Sequence, residues 1–315
     1  VNGIFVVDKP AGISSYDVVR RLKQVLPRVK IGYLGTLDPL ATGVLPILLG
    51  EGTKLAPFLE DGKKEYEAII CLGVTTDTQD REGHVLRAVD PTQYDLGLPK
   101  IEDVLRRFRG RILQLPPMYS AHKRRGEPLY KLARKGEEVE RALQEVEISA
   151  LELTRIDLPM LELHVECSKG TYVRTLAHDI GQGLGCGAFL TALRRTRSGN
   201  FTLAGALTLD TIDKGRIVNA LIPLVQAVSF LPAIEVDESR ALHITNGHGI
   251  ALTDGDRQGE AGRRVRVVAK HGEMLIAVGE IEGEDTNLVI KPLRVFHDVL
   301  FTKKTPYGTK KNYAS

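Results

Sequence analysis

The apolar runs of this chain are short, and their period changes repeatedly from one to the next. Ile4-Phe5-Val6-Val7 ends at Asp8-Lys9-Pro10 and Gly12, which predicts a strand leaving a sheet at a loop. Ser14 or Ser15 then caps a helix that carries Val18, Val19, Leu22, Val25 and Leu26 on one face and stops at Pro27. Gly32–Gly50 is dense in Gly, Pro and Thr, the composition of loops flanking a buried helix or turn. Glu65–Leu72 reads as a strand and Ile101–Phe108 as a helix following Pro99. Leu161–Val165 reads as a strand in which Leu161, Leu163 and Val165 alternate with Glu162 and His164. Such irregular alternation of the two periods favours an α+β fold with a central mixed or antiparallel sheet over a doubly wound parallel one.

The patterning shifts near Leu231-Pro232, after which short β-type runs separated by Gly dominate, at Val265–Val268, Leu275–Val278 and Val289–Ile290. With 315 residues the chain sits where single cores usually split, so the expectation is a large unit over 1–231 and a small all-β domain over 232–300. Residues 301–315 read as a basic tail, and the charged stretch over 118–147 as an insertion standing off the core. Hydrophobic residues make up 43% and charged residues 26% of the chain, which excludes disorder, collagen and coiled coil as readings of the whole. No apolar run approaches the roughly 18 uninterrupted residues of a membrane-spanning helix, and the first residues do not read as a signal segment. A soluble, cytoplasmic protein is expected. Cys71, Cys167 and Cys186 are odd in number and widely spread, so they are read as reduced thiols.

Lys and Arg number 43 against 40 Asp and Glu, a net charge of only +3. The basic residues nevertheless come in bursts: Arg106-Arg107 with Arg109 and Arg111, Lys123-Arg124-Arg125, Lys131 with Arg134-Lys135, Arg194-Arg195 with Arg197, and Arg263-Arg264 with Arg266. One burst is an ordinary solvated face, but several raise the odds of a surface for a polyanion.

Two glycine- or acid-rich segments fail as ligand motifs. Gly181–Gly187 follows a helical stretch and lacks a P-loop lysine, so it reads as a helix end and turn. Asp77, Asp80 and Glu82 have the wrong spacing for a calcium loop and also read as a turn. His243 and His248 lack a metal-ligand context, and no metal is expected. Gly35-Thr36-Leu37-Asp38-Pro39-Leu40-Ala41-Thr42-Gly43 places one carboxylate in a Gly-bounded loop, where Asp-Pro by itself is a turn initiator. Ser168–Thr175 is a polar strand-to-helix junction in which Tyr172 and Arg174 are expected on one face of the strand end.

Taken together, these segments carry more. Asp8-Lys9-Pro10 with Gly12 and Ser14-Ser15, then Gly35–Gly43, Lys64-Glu65-Tyr66, Thr76-Asp77-Thr78, Pro117-Met118-Tyr119-Ser120-Ala121 and Cys167–Thr175, resemble the successive motifs of the TruB-type tRNA pseudouridine synthases, in their order and spacing. The region from Pro232 to His297 is similar to the PUA-like domain that ends many members. The resemblance implies an isomerase that detaches uracil from its ribose, rotates it and rejoins it through carbon 5, without a cofactor. It implies Asp38 as the catalytic aspartate, Arg174 as its partner, Tyr66 as the tyrosine stacking on the base and Tyr172 as a second pocket tyrosine. Leu193 is implied as a lining residue and Lys9 as support near the site.

The implied partner is tRNA, met through its T-arm by Lys123, Arg124, Arg125 and Lys131, and through its acceptor stem by Arg263 and Arg264, with Arg194 and Arg195 near the pocket. No obligatory protein partner and no membrane is implied, and a monomer is expected. Where the family usually has Gly-His-Thr or Gly-His-Ser, this chain reads Gly32-Tyr33-Leu34-Gly35, a departure at Tyr33 that bears on RNA fit and base extrusion more than on bond chemistry. Two alternatives keep the fold: an RNA-binding factor without catalysis, and the catalytic subunit of a guide-RNA particle.

Overall fold

The computed structural model describes residues 1–119, 123–124, 127–128, 139–252, 261–269, 274–283 and 287–297. It divides into two compact units. One holds Phe5–Ile47 and Ala56–Ala220; the other holds Val1–Ile4, Leu48–Leu55 and the described residues from Leu221 onward.

A mixed 10-stranded sheet organises the first unit. Its main path runs Leu207–Thr208, Gly3–Lys9, Thr42–Leu49, Ala188–Ser198, Lys64–Leu72, Met160–Cys167, Gln144–Asp157 and Gly110–Gln114. Ala188–Ser198 is parallel to Thr42–Leu49 and antiparallel to Lys64–Leu72, so it joins the two parts of the sheet. The expected alternation of Leu161, Leu163 and Val165 is present, and all three are buried. In register with them stand Ile70, Ala68 and Tyr66, and beyond those Leu190, Leu193 and Arg195. One buried face thus crosses three strands, and its last row, Val165, Tyr66 and Arg195, lies at the site described below.

The Ser15–Val25 helix starts where expected, because Ser14 and Asp17 form a reciprocal capping box that satisfies two of the helix's free amide donors. The Val173–Leu184 helix ends at Gly185, whose φ of 87° gives the left-handed cap that glycine accepts without strain. Gly32–Gly50 meets expectation only in part: Pro39-Leu40 forms a turn closed by the Ala41 amide on the Asp38 carbonyl at 3.0 Å, but the rest of the segment differs. It holds the strands Ile31–Tyr33 and Thr42–Leu49, not a buried helix. Val44 to Leu49 is buried on both faces, so it shows no period-two alternation to mark it as a strand. Residues 144–147 belong to the Gln144–Asp157 strand and pair with Gly110–Gln114.

In the second unit, a five-stranded sheet runs Ala233–Val236, Arg264–Ala269, Leu275–Glu282, Val289–Val295 and Ile250–Ala251. Ile234, Val236, Val265, Val267, Ile276, Ile281 and Ile290 form its core. To the expected strands the structure adds a helix, Glu238–Thr245, capped by Asp237 and packing Ala241 and Ile244 into that core. Among the described residues no helix is long and apolar enough to cross a membrane. The tail over 301–315 lies outside the described residues.

Candidate active site

The loop carrying Asp38 joins the strands Ile31–Tyr33 and Thr42–Leu49 and is pinned from several sides. The Leu37 amide donates to the Ser15 hydroxyl at 2.9 Å, and that hydroxyl lies 3.1 Å from the Leu37 carbonyl. The Gly12 amide donates to the Pro39 carbonyl at 2.8 Å. Lys9 has no exposed surface, and its ammonium donates to the carbonyls of Ile13 at 2.6 Å, Pro10 at 2.9 Å and Pro39 at 3.3 Å. Burial draws its pKa down to about 8, against the opposing pull of the Asp38 and Glu82 carboxylates. Lys9 therefore supports the loop from beneath.

Arg174 occupies the first turn of the Val173–Leu184 helix, with only 3% of its side chain exposed. Its Nε donates to Asp38 Oδ2 at 2.8 Å and its Nη2 to Asp38 Oδ1 at 3.3 Å, a two-point grip on the carboxylate. Nη1 donates to the Thr78 carbonyl at 3.0 Å and Nη2 to the Tyr119 carbonyl at 2.9 Å. Asp80 Oδ2 stands 3.6 Å from Nη1, completing a second ion pair. Asp80 is itself buried, and its Oδ1 accepts from the Thr78 hydroxyl at 2.6 Å and the Glu82 amide at 3.0 Å. Gln79 between them has a φ of 63°, a left-handed value uncommon for a residue with a Cβ, and its side chain accepts from the Thr175 hydroxyl at 2.9 Å.

Tyr66 is buried beside Arg195 on the neighbouring strand. Burial pushes its phenol up to about 12, with the Arg195 guanidinium opposing the shift, so the hydroxyl stays neutral at physiological pH. Arg195 has no exposed surface. Its Nε donates to the Val44 carbonyl at 2.8 Å and its Nη2 to the Gly35 carbonyl at 2.9 Å. These bonds tie the start of the Asp38 loop to the strand carrying Leu193, and two glycines make the approach possible. A Cβ on Gly43, at φ 101°, would lie 2.2 Å from the Arg195 carbonyl oxygen, and one on Gly35, at φ 61°, would lie 3.0 Å from Nη1.

Residues 23–173 match the TruB family pseudouridylate synthase N-terminal domain, and residues 174–220 match the tRNA pseudouridylate synthase B C-terminal domain. The tRNA pseudouridine synthase B of Syntrophomonas wolfei is 46% identical over 94% of this chain and 99% of its own. That of Geobacter sulfurreducens is 47% identical over 78% of this chain and 82% of its own, and that of Pseudomonas aeruginosa 42% over 89% and 92%. The chain belongs to the TruB family. Among solved structures, a Cbf5-Nop10-Gar1 complex matches with a TM-score of 0.70 at 28% identity, covering 93% of this chain and 84% of that one. An H/ACA RNP bound to a substrate RNA containing 2′-deoxyuridine matches with a TM-score of 0.69 at 25% identity, covering 94% and 85%.

As a TruB-family chain, the protein brings Asp38, Arg174, Tyr66 and Lys9 into one region, together with residues that sequence reasoning passed over. In sequence Asp80 reads only as part of a turn; burial of a carboxylate beside Arg174 is what distinguishes it. Tyr172 and Arg174 do not share a strand end: Tyr172 is the N-cap of the helix and Arg174 lies inside it, because the polar junction after Cys167 turns before the helix begins. Leu193 is buried opposite Ala68. Tyr33 is half-buried at the end of Ile31–Tyr33.

Among the proposed RNA contacts, Arg195 requires correction. With no exposed surface and its Nε and Nη2 on backbone carbonyls, it is closed to a phosphate in this structure and serves the loop instead. Arg194, on the alternate side of the strand, is partly exposed and grips Asp8 at 2.8 and 3.2 Å. Arg263 and Arg264 are exposed. Lys123 and Arg124 form a short strand paired with Glu127–Pro128, whereas Arg125 and Lys131 lie outside the described residues. The Arg106–Arg111 burst is largely matched locally, by Asp103, Glu102 and Glu145. Among the described residues no three His, Cys, Asp or Glu side chains group as metal ligands.

Proposed function

We propose that this chain isomerises uridine to pseudouridine in the T-loop of tRNA, at the position called 55, with Asp38 as the catalytic carboxylate. The supporting observation is the uneven exposure of the ion-pair network. The side chains of Arg174 and Asp80 are 3% and 6% exposed, whereas that of Asp38 is 36% exposed. Asp38 is the member of the network that a nucleotide can reach, and the buried members hold its oxygens in place.

An extruded uridine would present its C1′ to Asp38. As the N1–C1′ bond breaks, its electron pair leaves with uracil, and the carboxylate bonds to C1′ or stabilises the positive charge developing there. The uracil turns, the C5–C1′ bond forms, and the proton lost from C5 is balanced by the one gained at N1. Because the base is retained, no second carboxylate is needed to activate water. Tyr66 supplies a stacking face and, as a neutral phenol, a hydroxyl able to relay that proton, but not a phenolate base.

Extrusion costs on the order of a few kcal/mol, which phosphate and stacking contacts must offset. In this reading Lys123, Arg124, Arg125 and Lys131 grip the T-arm and Arg263 and Arg264 of the C-terminal unit meet the acceptor stem. The protein acts in the cytoplasm as a monomer, without cofactor or obligatory protein partner. Tritium release from tRNA labelled at uridine C5, without added protein or guide RNA, tests the proposal. The parent chain is expected to release tritium and Asp38→Asn to release none; equal release from both would overturn the assignment of Asp38.

A further inference from the structure

Gln114 ends the edge strand Gly110–Gln114 and is the one residue of that strand that is fully buried, at 1% exposure. A buried carboxamide is costly unless its donor and acceptor are both used. Here both go to a single residue: Gln114 Oε1 accepts the Tyr172 amide at 2.7 Å, and Gln114 Nε2 donates to the Tyr172 carbonyl at 3.1 Å. The side chain thus does for Tyr172 what a neighbouring strand would do, at a point where the chain leaves the sheet for a helix.

Tyr172 needs such a partner. It is the N-cap of the Val173–Leu184 helix but makes no side-chain capping bond, and its carbonyl also accepts the Leu176 amide at 3.0 Å, closing the first turn. Before it runs Ser168-Lys169-Gly170-Thr171, with Gly170 at φ 82° and open space around its Cα. A few residues beyond Gln114, the Tyr119 carbonyl accepts from Arg174 Nη2 at 2.9 Å. The Gln114–Tyr119 segment therefore holds the junction twice, at the backbone of Tyr172 and at the guanidinium of Arg174.

We propose that Gln114 is a positioning residue for the isomerisation: its carboxamide fixes the backbone of Tyr172 at the helix start, and so aims the Tyr172 side chain and sets Arg174 on Asp38. The proposal rests on the assignment of Asp38, Tyr172 and Arg174 to the active site. Few side chains can replace Gln114. An ionised Glu loses the donor, Asn is one methylene short, and Met keeps the volume while losing both bonds.

The test uses the full chain, C5-tritiated tRNA and excess enzyme, so that the rate of the chemical step is read apart from binding. Gln114→Met is expected to lower the single-turnover rate by about 10- to 100-fold, the scale of a small misplacement of reacting groups, with tRNA affinity by filter binding unchanged within about threefold. A rate within about twofold of the parent, or equal losses in rate and affinity, would overturn the proposal. Should the variant fail to fold, hydrogen exchange in the parent chain decides. The Tyr172 amide is expected to exchange at least about 100-fold more slowly than that of Gly170, and equal exchange would sink the idea. Asp38→Asn run in parallel separates the two readings: an active Asp38→Asn removes the site assignment itself, whereas an inactive one beside an unimpaired Gln114→Met removes only the role of Gln114.

Discussion

In the unit built on the large sheet, Lys9, Asp80, Gln114, Arg174 and Arg195 are all buried, whereas the described part of the C-terminal unit has an aliphatic core with no buried charged or polar side chain. Both solve the same problem of hiding backbone and side chains from water, at very different cost. An ion taken out of water carries a penalty of several kcal/mol that only good geometry recovers, while Ile and Val packing gains about 25 cal/mol for each Å² of apolar surface buried. Buried charge is therefore a poor way to gain stability and an effective way to fix where a carboxylate points. In the first unit the buried groups converge on one loop and one ion pair, which is where the chemistry requires precision. The comparison implies that rate and stability should respond separately to substitutions in the two units.

The largest break in that comparison should come at Arg174. Lysine offers three donors from a single point and cannot span both oxygens of Asp38 while reaching the Thr78 and Tyr119 carbonyls. Arg174→Lys is expected to slow single-turnover pseudouridine formation by about 100-fold or more. Arg174→Met should in addition destabilise the fold by about 3–5 kcal/mol in chemical denaturation, because Asp80 is left buried without its counter-ion. A lysine variant within about fivefold of the parent would show that the grip on Asp38 is incidental.

A substitution in the C-terminal core should give the opposite signature. Ile276 has no exposed surface, and Ile276→Ala removes packing without touching a charged group. A loss of about 2–5 kcal/mol in unfolding is expected, with the single-turnover rate at saturating enzyme unchanged within about twofold. If the rate per folded molecule fell as far as it does for Arg174→Lys, the two units would not be separable in this way.

How much of this was legible in the sequence depends on whether the determinant is local. The Ser14 cap needs only Asp17, three residues away, and the glycine stop at Gly185 needs only its own backbone, so the sequence narrows the one to Ser14 or Ser15 and the other to Gly181–Gly187. The Leu161–Val165 alternation was likewise readable, because that strand buries one face. Thr42–Leu49 was not, since burial on both faces erases the period that separates strand from helix. Asp38 and Arg174 were found through motif resemblance, not from spacing, because they are distant in the chain and meet only through the fold. Asp80 and Gln114 escaped for the same reason: an aspartate in a turn and a glutamine at a strand end are ordinary until their partners at the start of the Val173–Leu184 helix are known. Arg195 had a usable signal. Leu193 and Arg195 share a strand face by period two, so the lining role that the resemblance implies for Leu193 argues for an inward Arg195.

That same strand sharpens the comparison to neighbouring residues and gives the smallest effect. Arg194 and Arg195 belong to one basic burst, yet one is paired with Asp8 at a partly exposed position and the other is sealed inside. An ion pair as exposed as that of Arg194 contributes about 0–1 kcal/mol, so Arg194→Gln should shift unfolding by less than about 1 kcal/mol. If Arg194 also meets a tRNA phosphate, its loss should weaken binding and reduce the slope of log affinity against log salt by about one, because one fewer counterion is released. Arg195 has no surface from which to release a counterion, so Arg195→Lys should leave that slope unchanged even if it perturbs the Asp38 loop. Titrating tRNA binding at several salt concentrations measures both. An unchanged slope for Arg194→Gln would confine that arginine to Asp8, and a reduced slope for Arg195→Lys would mean that its burial is relieved when RNA binds.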